Sequence, residues 1–343
     1  MKKTLVAIAA FMAATGAMAE VTISGTVDLG FTSSTLTSAA GASSKIGGVG
    51  NGINGQDALN FGVSEKLDNG MTAFANFNYQ PTTDTGTASA QDSGSGVGLS
   101  GDFGKVTLGR QWDAVMTSIV FAQPNYGNIQ GLATAHTGFA SAGIKSNTIS
   151  YTTPQLIPGL TATLQKAYGE AANNLGDSTT WAATYSAGGF TGSVAGQSEK
   201  EAASTTAWAS ALAVANSVAG TQTITAGSTT TARAYALSYD FGMVKVFGSN
   251  VTHKSSSDTD LSIVDTTFGL TVPLGVNTLY ITTDTDKRTL TDGTTTTTDK
   301  GMRVAGTHNL SKRTRLFLVY GSITRGGSPL ASKQTALGMQ HSF

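Results

Sequence analysis

The chain has 343 residues with 21 basic and 21 acidic side chains, so it lacks the basic footprint that a nucleic-acid partner requires. It has no cysteine, which excludes a disulfide-stapled scaffold. Charged residues make up only 12%, against about 25% in soluble domains, while Gly reaches 42 residues and Pro only 6.

Residues 1–19 read as an export leader. Lys2 and Lys3 form a short positive region, Leu5 to Ala14 an apolar run, and Ala17-Met18-Ala19 a small-x-small cleavage pattern. Cleavage is expected between Ala19 and Glu20. The apolar run is too short to span about 30 Å of hydrocarbon as an anchor, and its removal leaves the mature chain about two charges net negative. No apolar stretch long enough for a membrane helix follows. For an exported, charge-poor, Gly- and Thr-rich chain, the remaining way through a membrane is a closed barrel, which satisfies every backbone group between strands.

From residue 20 onward the dominant pattern is alternation with period two, the mark of a half-buried strand. In VTISGTVDLGF, Val21, Ile23, Val27, Leu29 and Phe31 share one face and Thr22, Ser24, Thr26 and Asp28 the other. The pattern repeats at 57–67 and 71–80, again around Met302, Val304 and Leu310, and in the last segment with Leu337, Met339 and Phe343. Segments close to ten residues fit a tilted membrane strand. Aromatics near strand ends (Phe31, Tyr79, Tyr151, Tyr168, Trp181, Tyr185, Tyr235, Tyr239, Phe343) fit interface girdles.

Short turns fall at 68–70, 102–104, 154–159, 188–189, 240–242, 273–275 and 311–313. The Asp-Phe-Gly triplets at 102–104 and 240–242 are therefore hairpin turns. Long polar loops are predicted at 34–56, 82–92, 113–146, 170–179, 201–230, 254–263, 286–300 and 324–333. Seven turns and eight loops join sixteen antiparallel strands, with both chain ends on the short-turn, periplasmic side. The stretch 201–230 reads either as a loop with a short helix or as an extra hairpin that would raise the count to eighteen.

Several segments carry a family likeness: VTISGTVDLG at 21–30, LNFGVSEKLDNGMTAFANFNYQ at 59–80 with Gly62, Glu65, Leu67 and Gly70, FGKVTLGRQW at 103–112, LSKRTRLFLVYG at 310–321, and the terminal GMQHSF. In this order and spacing the chain resembles the general-diffusion porins of beta-proteobacteria, the neisserial type. The resemblance implies an all-β, 16-stranded transmembrane barrel over residues 20–343 with an inward-folded third extracellular loop. It also implies a homotrimer joined through the early and last strands, location in the outer membrane, and passive diffusion of small hydrophilic solutes and ions. Phe343 would be the outer-membrane assembly signal. No cofactor is implied, and the expected lipid partners are outer-membrane lipid and lipopolysaccharide.

The chemistry of such a channel is electrostatic filtering. The third loop, 113–146, has Asp113 at its root, Lys145 at its close and almost no charge between. Strand parity points Lys66, Lys105, Arg303 and Arg315 into the lumen together with Asp28 and Asp265, because a charge facing lipid at mid-depth costs about 2–4 kcal/mol. Parity sets Arg110 with Val106 and Leu108 on the outer face. The matching family arginine lines the pore, and a bulge at Gly109 would turn Arg110 inward. More lumenal bases than loop acids predict a weakly or mildly anion-preferring pore lined by Arg110, Arg303 and Arg315. The competing readings are a substrate-selective channel and a barrel-anchored surface adhesin. A hydrolase lacks any Ser–His pairing at matched depth, so an enzyme is not expected. His136, His253, His308 and His341 are scattered without metal spacing, the last two outward by parity. Asp258, Asp260 and Asp265 read as solvated loop acids rather than a cation site.

Overall fold

The computed structural model describes residues 19–38, 40–86, 92–122, 143–202, 205–206, 223–224, 226–256, 262–289 and 296–343. Within them the chain is an antiparallel meander closed on itself. Strand β1 is Glu20–Thr37, and β2 runs in two segments, Ser43–Asn51 and Ala58–Lys66. Then follow β3 Thr72–Tyr79, β4 Asp92–Gly101, β5 Gly104–Trp112, helix α1 Ala114–Ala122, β6 Ile144–Thr152, β7 Leu160–Ala167, β8 Ser178–Ala187 and β9 Phe190–Lys200. The wall continues with β10 Thr229–Asp240, β11 Lys245–Ser255, β12 Ser262–Leu274, β13 Asn277–Thr289, β14 Thr296–Asn309, β15 Thr314–Arg325 and β16 Ala331–Ser342.

Both segments of β2 run in the same direction along one edge of β1, Ser43–Asn51 against Thr37–Leu29 and Ala58–Ser64 against Thr26–Glu20. They are one membrane strand interrupted at 52–57, which gives a 16-strand barrel. The other edge of β1 pairs with β16 from Thr26↔Ser342 to Thr37↔Ala331. The seam ends on Phe343, which exchanges backbone hydrogen bonds with Gly25 at 2.9 and 3.0 Å. Closure leaves no sheet edge in hydrocarbon.

The alternation sorts faces as expected. In β10, Ala232, Ala234 and Ala236 are buried on the inside while Tyr235, Leu237 and Tyr239 are exposed on the outside. All the predicted girdle aromatics are exposed. All seven predicted turns connect neighbouring strands. The predicted long loops at 34–56 and 286–300 are largely strand instead: β1 and β2 pair up to Thr37↔Ser43, and β13 and β14 up to Thr289↔Thr296. Glycine and threonine there looked like loop composition, yet ladder hydrogen bonds need only backbone. In 201–230, Thr205–Thr206 pairs with Thr223–Ile224 as a separate two-stranded ladder outside the wall. It adds no strand to the barrel, and 207–222 lie outside the described residues.

Candidate pore and its lining

Two insertions lie against the inner wall. The first is α1. Its Ala114, Val115 and Ile119 are buried in one cluster with Ala182 of β8, Ala195 of β9, Ala234 of β10 and Val251 of β11. Small side chains at these wall positions let the helix approach the sheet. Asp113 caps it: the carboxylate accepts from Met116 N at 2.7 Å and from Gly143 N at 2.5 Å, and Asp113 N donates to Gly143 O at 2.7 Å. One side chain thus satisfies a free N–H of the first helical turn and ties the two roots of the loop together. Burial pushes its carboxyl up to about 6, against the pull of the Met116 and Gly143 N–H groups. Residues 123–142, which hold most of the predicted third loop and His136, lie outside the described residues.

The second insertion was not anticipated. Residues 52–57, between the two halves of β2, fold over the inside of β1 and β16. Asp28 Oδ1 accepts from Ile53 N at 2.8 Å and Asn54 N at 3.1 Å, and Oδ2 accepts from Gln340 Nε2 at 3.0 Å. Asp28 N in turn donates to Asp57 Oδ1 at 2.6 Å. The Ile53 side chain packs with Phe317, Val319, Ile323, Ala305, Leu330 and Ala336. Apart from Leu330, which lies in the loop before β16, these apolar residues sit on the inner faces of β14–β16, where the insertion covers them. The Asn54 amide oxygen, oriented to suit its neighbours, accepts from Arg315 Nε and Nη2 at 3.2 Å.

Lys66, Lys105, Arg303 and Arg315 all stand on the inner face. Lys105 shares a row with Ser100 and Thr152 and lies 4.7 Å over the Phe74 ring. Lys66 and Lys105 are exposed, while Arg303 and Arg315 are half-buried. Arg303 pairs across to Thr282 and Gly321. Asp113, expected among the constriction charges, is instead buried at the loop root, its oxygens taken by backbone N–H groups.

Arg110 requires a correction. The irregularity is present, but the extra residue is on the facing strand: Thr148 to Lys145 spans one residue more than Gly109 to Gln111, and Asn147 has φ +55°. Strand β5 therefore keeps its alternation. Gln111 enters the inner face, accepting from Ser150 Oγ and donating to Thr148 Oγ1. Arg110 stays with Leu108 on the outer face, opposite Ser95 in the row of Phe77, and donates to Ser146 Oγ at 2.6 Å.

The sequence reading also missed a set of inner-wall acids. Asp284, Asp286 and Asp299 lie on the inner faces of β13 and β14, with Asp265 across from Asp286. Asp265 thus belongs to the wall and not to a solvated loop; Asp258 and Asp260 lie outside the described residues. Arg325 holds Asp299 through two hydrogen bonds of 2.8 and 3.0 Å, and Lys145 pairs with Glu199 at 2.5 Å. Period-two parity from the paired register finds every one of these acids once β13 and β14 are extended to Thr289 and Thr296. Among the described residues no group of side chains is arranged to hold a metal ion. His308 and His341 are exposed and bonded to Asn277 and Thr314.

A closed barrel with exposed apolar and aromatic side chains on its outer face and a polar, partly occupied interior describes a channel wall. The model of the Gram-negative porin family matches residues 4–328, nearly the whole chain. The chain belongs to the Gram-negative porin family. The porin is similar in fold to an anion-selective porin from Comamonas acidovorans, at 21% identity, TM-score 0.74, with 95% of this chain and 100% of that one covered. It is also similar to a trimer form of OmpT from Vibrio cholerae, at 12% identity, TM-score 0.71, covering 95% and 99%. A Salmonella typhi OmpF in complex with daunomycin matches at 14% identity, TM-score 0.64, covering 94% and 97%. No curated protein sequence matches the chain. The porin is thus an outer-membrane channel for passive diffusion.

Proposed function

We propose that this porin is a mildly anion-preferring diffusion channel for small hydrophilic solutes and ions, working as a homotrimer with its third loop folded into the lumen. One observation carries the selectivity. The inner-wall and loop-root acids Asp28, Asp57, Asp113, Asp265, Asp284, Asp286 and Asp299 are each at most 3% exposed, whereas Lys66 and Lys105 are open to the lumen. A permeating ion meets fixed charge in proportion to its access to it, so the open bases govern the ring field. Arg303 and Arg315 add to it from half-buried positions. The anion-selective character named for the Comamonas relative agrees with this reading.

The packing of α1 on β8–β11 supports the inward loop, and the trimer form of the Vibrio relative supports the assembly. The start of β1 at Glu20 supports cleavage after Ala19, leaving residues 20–343 as the barrel. The backbone exchange between Phe343 and Gly25 gives the terminal residue a place in the seam that suits its role as assembly signal. Reversal potentials in planar bilayers across a tenfold KCl gradient test the selectivity. The wild type should give a potential of anion sign that Lys66→Ala/Lys105→Ala reduces or inverts. A cation-selective wild type would refute the reading.

A further inference from the structure

On the extracellular halves of β10–β16 the described acids lie on the inner face, where Arg325 pairs with Asp299, while five bases lie on the outer face. The acids Asp265, Asp284, Asp286 and Asp299 all point inward, while Arg233, Lys254, Lys287, Lys300 and Lys333 all point outward and are exposed. Register confirms the outward set: Arg233 is opposite Gly196 and Thr252, and Lys254 is opposite Thr231. Among the described residues, neither the Arg233 nor the Lys254 side chain has a hydrogen-bond or ion-pair partner. Cations facing outward near the membrane are costly unless something anionic meets them.

The barrel also provides a shaped place for that anion. A cavity on the outer wall is lined by Trp181, Gly196, Arg233, Tyr235, Thr252 and Lys254 among others. Its floor is Gly196: a Cβ there would stand 2.6 Å from Trp181 Nε1, so the indole lies directly across the glycine. Two cross-strand rows run through it, and a third borders it below at Tyr235. The upper one is Thr179–Ser198–Thr231–Lys254, the middle one Trp181–Gly196–Arg233–Thr252, and the lower one Ala183–Val194–Tyr235–Asn250. From top to bottom these rows go from hydroxyls and ammonium, through guanidinium beside indole, to aliphatic and phenol groups, with the Asn250 amide at the end of the lowest row bonded to Thr266. That is the order of groups down an amphiphile: anionic head, interface, chain.

We infer that the Trp181–Arg233–Lys254 groove binds a phosphorylated, acylated glycolipid of the outer leaflet, with the phosphate on Arg233 and Lys254 and an acyl chain along Trp181, Val194 and Tyr235. This deepens the outer-membrane reading by giving the lipid partner a site, and it rests on that reading for which end of the barrel meets the outer leaflet. The fork of Arg233 suits phosphate oxygens bidentately and Lys254 adds a point charge. The site lies on β8–β11, away from the early and last strands through which a trimer would associate, so each protomer keeps it open to lipid.

The test is native mass spectrometry of the full-length mature barrel in detergent. Bisphosphorylated lipid A, the same lipid with its phosphates removed, and inorganic phosphate are titrated separately. The expected result is a saturable lipid A adduct at least tenfold tighter than the dephosphorylated adduct, weakened at least tenfold by Arg233→Ala/Lys254→Ala, and not displaced by inorganic phosphate at equal concentration. Binding that the double variant changes less than twofold, or equal binding of the dephosphorylated lipid, overturns the proposal. Displacement by equimolar phosphate overturns it in favour of a free-anion site. Heat-modified gel mobility confirms that the variant is folded, and planar-bilayer conductance is scored separately. Loss of conductance in the wild type counts against the channel and not against the lipid site.

Discussion

The carboxylate of Asp28 accepts the backbone N–H of Ile53 at 2.8 Å, joining the first strand to a six-residue insertion in the second. Asp28 is 0% exposed and also accepts from Asn54 N and Gln340 Nε2. The insertion would otherwise present unpaired N–H groups to an apolar cluster. Hydrogen bonds to a charged acceptor are worth about 1.5–3 kcal/mol, and losing the acceptor strands its donors. Asp28→Ala should therefore lower the stability of the refolded barrel to urea by about 2–3 kcal/mol. It should also raise single-channel conductance as residues 52–57 leave the lumen. Unchanged conductance in a folded variant would mean that the insertion does not narrow the pore.

Asp113 makes a pH prediction. Burial raises its carboxyl to about 6 from 3.8. A folded-state value above the unfolded one adds stability that is complete below about 3.8 and is lost as pH rises through about 6. The thermal midpoint of the barrel should fall between about pH 4 and 7. Asp113→Asn keeps a capping oxygen without the titration and should flatten that part of the profile, whereas Asp113→Ala loses the cap at a cost of about 1 kcal/mol. Parallel profiles for wild type and Asp113→Asn would rule out titration at the loop root.

The contact of α1 with the wall depends on small residues. Ala195, Ala234 and Ala182 face Val115 and Ile119, both 0% exposed. Ala234→Leu adds three carbons where the helix sits, and overpacking of this kind costs about 1–3 kcal/mol. The expected outcome is a lower urea midpoint and enlarged current fluctuations as the loop root loosens. Quiet channels of wild-type stability would show that the helix does not seat on β10.

Much of this architecture was readable from alternation. ARAYALSY at 232–239 alternates alanine with aromatic and aliphatic groups, and small-in, large-out is the face sorting observed. The turns were readable because Asp-Asn-Gly and Gly-Gly demand tight reversals. Composition misled where strand and loop share residues. TDGTTTTTDK at 291–300 looks like a loop, yet its second half pairs with β13, and so the inward Asp286 and Asp299 went unnoticed. NGINGQD at 51–57 has no periodicity, and only the three-dimensional position of Asp28 shows why it folds inward. Arg110 depended on which of two facing strands carries the extra residue, a choice that neighbouring Asn147 settles and that β5 alone does not contain.

The seam supplies the sharpest steric test. A Cβ on Gly25 would stand 2.5 Å from Phe343 Cζ and 2.7 Å from the Ala58 carbonyl oxygen. The first neighbour is a ring tip that can swing aside, but the second is backbone in the β1–β2 ladder and cannot yield without breaking pairing. Gly25→Val should therefore reduce the heat-modifiable, folded fraction well below wild type even though valine is a good strand former. Deleting Phe343 removes both backbone bonds to Gly25 and should impair closure in the same assay while leaving the ladder intact. Gly306→Ala is the control: it lies in β14 with nothing within 4 Å of its built Cβ, and it should fold as wild type does. If Gly25→Val folds as fully as Gly306→Ala, the contact between the first strand and the terminal residue is not what closes the barrel.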